Sequence, residues 1–179
     1  MILLTLVLAV LSTTQAQPLS GRYGEAELIE TTSSGMVTEI SFMTPEIVNV
    51  RHYKTESQVE KRNLVVTLQK QACSVLVSSA DENTVTLASD ALTVNYDKTI
   101  GCVTFYDKAG QQLLTEKSGQ TVLTARKDGP FDSYKVKQTF QLQTGERLYG
   151  LGQLQNGNWN QRGKTYDYMI EGNTSVWIP

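Results

Sequence analysis

Apolar and polar residues alternate along most of this chain. Between Val37 and Met43 the order Val-Thr-Glu-Ile-Ser-Phe-Met puts Val37, Glu39, Ser41 and Met43 on one side of an extended segment and Thr38, Ile40 and Phe42 on the other. Successive side chains of a strand point to opposite faces, so a period of two predicts β-structure. A second strand is predicted over residues 47–53, after Pro45. Short β-branched or apolar runs continue the series at residues 64–68, 73–77, 84–87, 92–96, 103–106, 112–115, 121–125, 136–142, 166–170 and 174–179. Turn-forming clusters at residues 78–83, 107–110 and 127–131 separate them. Strands recurring about every ten residues are the signature of a sandwich or barrel. Residues 56–62 are polar and charged without an apolar face, which predicts a solvated loop. The expected fold is all-β, with two antiparallel sheets packed face to face.

The first sixteen residues break this pattern. Residues 2–11 are almost wholly apolar, and Thr14-Gln15-Ala16 supplies small residues at cleavage spacing. This reads as a secretory signal peptide, although its leading residues contain no Lys or Arg. The run is too short to span a bilayer. Residues 17–179 are then one domain, secreted or periplasmic, with no membrane association after cleavage. The apolar ending at Ile178-Pro179 leads us to expect the front part of something longer.

An exported protein meets an oxidising compartment. The two cysteines, Cys73 and Cys102, could pair as a disulfide. Both also sit in strand patterns, where a buried reduced thiol is equally ordinary. Net charge is −2 with no basic stripe, which argues against nucleic acid as a partner. One histidine, His52, and two distant cysteines give no zinc spacing, and no metal or cofactor is expected. His52 lies in a strand pattern beside Arg51 and reads as structural.

Residues 145–163 stand apart. They hold Gly145, Gly150, Gly152, Gly157 and Gly163 and the amides Gln153, Gln155, Asn156, Asn158, Asn160 and Gln161, with Trp159 and Arg162. Glycines allow unusual backbone angles. Amides and an indole suit the hydroxyls and ring faces of sugars. The plainer reading is a long, well-bonded connecting loop. Gly150-Leu-Gly152 is not a dinucleotide fingerprint, because Gln155 stands where the third glycine belongs and no helix is predicted after it. Glu146, Asp167 and Glu171 are the nearby carboxylates, and structural roles suit them better than the paired acids of a glycosidase.

The order Tyr149-Gly-Leu-Gly-Gln153, then Arg162-Gly163, then Trp177-Ile-Pro179 resembles the N-terminal β-sandwich of glycoside hydrolase family 31, the α-glucosidases and α-xylosidases. Residues 92–96 and 103–110 are similar to a hairpin of that domain. The resemblance implies a galactose-mutarotase-like super-sandwich that packs on a C-terminal (β/α)8 catalytic barrel. In the family the barrel carries the catalytic Asp pair, in a motif this chain lacks, so no catalytic residue carries over. What it implies here is a non-catalytic domain of an exported α-glycosidase. It would help shape a carbohydrate site, with Asn156, Trp159 and Arg162 as the candidate contacts. The alternative is a free-standing secreted sandwich that binds carbohydrate without hydrolysing it. A mutarotase is disfavoured, because one histidine is too few for that acid–base set.

Overall fold

The computed structural model describes residues 26–32, 34–54, 68–79, 81–117, 121–150 and 157–166. The chain divides into two compact units, Met1–Gln141 and Leu142–Pro179. Its described residues form ten strands in the first unit: β1 (Leu28–Thr31), β2 (Met36–Thr44), β3 (Ile47–Lys54), β4 (Leu76–Ser79), β5 (Thr84–Ala88), β6 (Leu92–Asp97), β7 (Cys102–Asp107), β8 (Gln112–Thr115), β9 (Val122–Asp128) and β10 (Phe131–Lys137). No helix occurs among the described residues. The strands form three antiparallel sheets, ordered β1-β2-β3, β4-β5-β6-β7-β8 and β10-β9.

Alternation explains how the first two sheets meet. Ile40 and Phe42 of β2 pack with Val85 and Leu87 of β5, Val94 and Tyr96 of β6, and Val103 of β7. Cross-strand pairing lines up the inward rows: Phe42 faces Val48 and Ile40 faces Val50, while Val85 faces Tyr96 and Leu87 faces Val94. The same register puts Thr38 opposite His52, so the row that is apolar at one end turns polar at the other. A one-residue slip would reverse every one of these side chains, so burial itself fixes the register.

The second face of β2 is also buried, which a sandwich strand with one wet face would not show. There the carboxylate of Glu39, 3% exposed, receives Arg51 Nη1 and the Tyr53 hydroxyl, each at 3.4 Å. The Arg51 guanidinium also lies 5.7 Å from the centre of the Tyr53 ring. Burial, with Glu39 next, raises the Tyr53 phenol above its ordinary range, against the opposing pull of Arg51.

Several strands differ from the sequence reading. β10 runs Phe131–Lys137 rather than 136–142. Asp128 pairs with Phe131 across Gly129-Pro130, and Gly129 takes the positive φ of 58° that the first residue of a type II′ hairpin turn requires. The turn cluster is thus a tight hairpin, and the chain beyond it serves another partner. Phe140 bridges Glu116, and the Lys117 and Gln141 amides donate to the Thr139 and Thr115 carbonyls at 2.9 Å. β4 starts at Leu76, later than the apolar run predicts, although Cys73 and Val75 still pack on the core. β1 carries too little pattern to be recognised and exists through its pairing with β2. Residues 64–67, 167–170 and 174–179 lie outside the described residues, as do the targeting segment and residues 56–62.

No disulfide joins Cys73 and Cys102 in this structure, where Cys102 is buried and Cys73 partly so. The Cys102 thiol donates to the Ile100 carbonyl at 3.8 Å.

Tyr96, 1% exposed, gives the core a pH limit. Burial raises its phenol above the ordinary 10.0; a hydrogen bond with Thr38 opposes this, and the nearby Glu30, Cys102 and Glu116 add to it. Below 10.0 both folded and unfolded chains keep the proton, and the stabilising contribution is complete. As pH rises past 10.0 the unfolded chain loses the proton first, and stability falls until the native phenol also ionises. Urea titrations across that range should show this decline, with Tyr53, also raised, acting in the same direction. Tyr96→Phe should flatten it; an unchanged slope in that variant would contradict the assignment.

Candidate functional site

The glycine- and amide-rich stretch lies in the second unit, where residues 142–150 and 157–166 are described. It is a bonded framework. At its start Gly145 takes φ 80°, the Glu146 amide donates to the Gln143 carbonyl at 3.2 Å, and the Glu146 carboxylate accepts the Gln143 amide at 2.7 Å. Glu146 therefore closes a turn, the structural role its position suggests.

Arg162 holds this turn from the other side. Its Nη1 donates to the carbonyls of Gln143 at 2.8 Å and Glu146 at 2.7 Å. A guanidinium suits this task because its donors are planar and permanently charged. Asn160 adds a second tie. Its Oδ1 accepts the backbone amides of Leu148 and Arg162, each at 3.1 Å. Gln161 is the buried centre: its amide N–H donates to the Leu148 carbonyl at 2.7 Å and its Nε2 to the Asn158 carbonyl at 2.6 Å. The Tyr166 hydroxyl donates to Gln161 Oε1. Two amides that composition offers to sugars are thus occupied within the loop itself.

Trp159 is the exception. It is 86% exposed, on a loop tied at Asn158, Asn160 and Gln161. An indole held in water by a stiff backbone offers an apolar face and one N–H donor at little further ordering cost. Of the three sequence-derived contacts, the structure places Trp159 and Arg162 three positions apart on one tied loop, Trp159 outward and Arg162 on carbonyls. Asn156 lies outside the described residues. No group of three or more His, Cys, Asp or Glu that could hold a metal occurs among the described residues.

Sequence reasoning missed a second polar assembly, in the first unit. His52 Nε2 lies 2.9 Å from Glu116 Oε1, and its Nδ1 lies 3.0 Å from Thr38 Oγ1. Gln138 Nε2 donates to Glu116 Oε1 at 3.0 Å, and the Val103 amide donates to Glu116 Oε2 at 2.9 Å. The Thr121 hydroxyl donates to Gln138 Oε1 at 2.7 Å. With His52 neutral, a proton on Nε2 for Glu116 makes Nδ1 an acceptor, so Thr38 donates to it. The signal available in the sequence was an acid, Glu116, directly after the apolar run of β8. Sequence spacing hides its partners, since His52 is 64 residues away.

An all-antiparallel sandwich of this kind is a galactose-mutarotase-like domain. Residues 37–171 match the family described as the glycosyl hydrolase 31 N-terminal galactose mutarotase-like domain, and the chain belongs to it. A curated relative is the α-xylosidase of Saccharolobus solfataricus, 29% identical over 153 residues, covering 79% of this chain and 20% of the relative. This chain therefore corresponds to about one fifth of that protein. The crystal structure of the family 31 α-xylosidase from Xanthomonas citri has a similar fold, with a TM-score of 0.70 at 22% identity, over 80% of this chain and 16% of that one.

Proposed function

We propose that this chain is the exported, non-catalytic N-terminal domain of a family 31 α-glycosidase. It packs on a catalytic barrel and lends Trp159 to the carbohydrate-binding mouth. The family match over residues 37–171 supports the reading as the N-terminal domain of a family 31 protein. The exposure of Trp159 on a loop clamped by Arg162 supports the second. Arg162 acts here by holding the loop, and Trp159 by stacking on a sugar ring.

In the polypeptide that joins this domain to its barrel, Trp159→Ala is expected to raise KM for an α-linked oligosaccharide about tenfold, equivalent to ~1.4 kcal/mol. The urea midpoint should stay unchanged, because the indole is exposed. An unaltered KM would remove Trp159 from the site. Calorimetric titration of the isolated chain separates the alternative. Oligosaccharide binding that Trp159→Ala abolishes would favour a free-standing binding module.

Export has its own test. Expressed with its leader in a secreting host, the chain should appear outside the cytoplasm with Gln17 at its new terminus. Mass spectrometry finding Met1 retained on the exported product would refute cleavage after Ala16.

A further inference from the structure

The polar assembly around Glu116 borders a cavity in the first unit of about 350 Å³. This lies at the lower end of the range of about 300–1,000 Å³ common for small-molecule sites. The cavity is bounded by β3, by β7 and β8, and by the β9–β10 ribbon with the segment after it. Most of its wall is apolar, including Phe105, Leu123 and Phe140, while His52, Glu116, Thr121 and Gln138 form one polar side. Val136, 65% exposed, is also in the wall and is its most open residue.

Counting donors and acceptors narrows what could bind. A carboxylate offers about four acceptor positions. Glu116 uses three, for His52, Gln138 and the Val103 amide. The Gln138 side-chain nitrogen has two protons, of which Glu116 takes one. The polar side therefore offers one acceptor position and one N–H donor. A single hydroxyl, which donates once and accepts, matches that pair. The negative charge of Glu116 opposes an anion. A free sugar would carry its remaining hydroxyls against apolar walls, at about 1–3 kcal/mol for each left unpaired.

We infer that this cavity binds a small neutral alcohol or phenol, its hydroxyl between Glu116 and Gln138 and its apolar body against Phe105, Leu123 and Phe140. The site is separate from the Trp159 loop and does not depend on the glycosidase reading.

Titration of the full chain with benzyl alcohol, followed by backbone amide NMR shifts, tests it. Saturable shifts confined to the cavity-lining residues are expected. Toluene, without the hydroxyl, should bind about fivefold more weakly, and benzoate and xylose should not bind. Val136→Trp, at an exposed position, should fill the opening and abolish the shifts. Gln138→Leu should remove the preference for benzyl alcohol over toluene while leaving toluene binding in place. Equal affinity of the natural chain for toluene and benzyl alcohol would overturn the inference. So would tighter binding of benzoate or xylose, shifts outside the cavity, or indifference to Val136→Trp.

Discussion

Replacing Glu116 by alanine is expected to destabilise the first unit by about 3–5 kcal/mol. Its carboxylate, on a residue 8% exposed, receives three donors from three parts of the fold: His52 of β3, the amide of Val103 in β7, and Gln138 after β10. Alanine would leave all three facing a void. A buried donor without a partner costs about 1–3 kcal/mol, and neighbouring losses do not add fully. Glu116→Gln should cost less, about 2 kcal/mol, because one amide oxygen still accepts while the NH2 group meets a donor. Urea denaturation of both variants checks the order. Equal losses would mean that packing, and not the acceptor set, holds Glu116. The His52 and Glu116 contributions should also be non-additive in a double-mutant cycle, since removing either already breaks their bond.

Phe42→Ala is expected to cost a comparable amount, about 3–5 kcal/mol, for a different reason. Phe42 is fully buried in the cluster formed with the five-stranded sheet. Deleting its ring loses the transfer energy of the removed atoms and leaves a cavity whose walls relax only partly. Phe42→Leu should recover part of the loss, because it refills some of the volume that alanine leaves empty. A loss under ~1 kcal/mol for the alanine variant would show that the two sheets are held together elsewhere. The two substitutions also differ in what can rescue them: Phe42 by any apolar side chain of its size, Glu116 only by an acceptor in its place.

The strands were legible where each could be read from its own residues. β2, β3, β5, β6 and β7 are found close to where alternation predicts them, because one row of each packs on the core. β10 was displaced, since residues 138–141 bond to the chain at Thr115–Lys117 instead, and only the pairing of β9 with β10 decides which residues form the ribbon. The second buried face of β2 was invisible, because alternation reports one apolar row and is silent about Glu39 and Ser41 lying opposite. In the glycine-rich loop the composition pointed to sugar contacts throughout. The structure assigns Asn160 and Gln161 to backbone hydrogen bonds and leaves Trp159 facing water.

Sequence by itself determined the all-β class, the order of most strands and the family resemblance at residues 146–163. These depend on local alternation, on turn residues and on a contiguous motif, all properties of neighbours along the chain. Only the tertiary structure decided that Arg162 clamps carbonyls, and that His52, Glu116 and Gln138 meet beside a cavity. Those outcomes depend on which residues, far apart in the chain, are brought within hydrogen-bond distance. A pattern with a period of two carries no record of that.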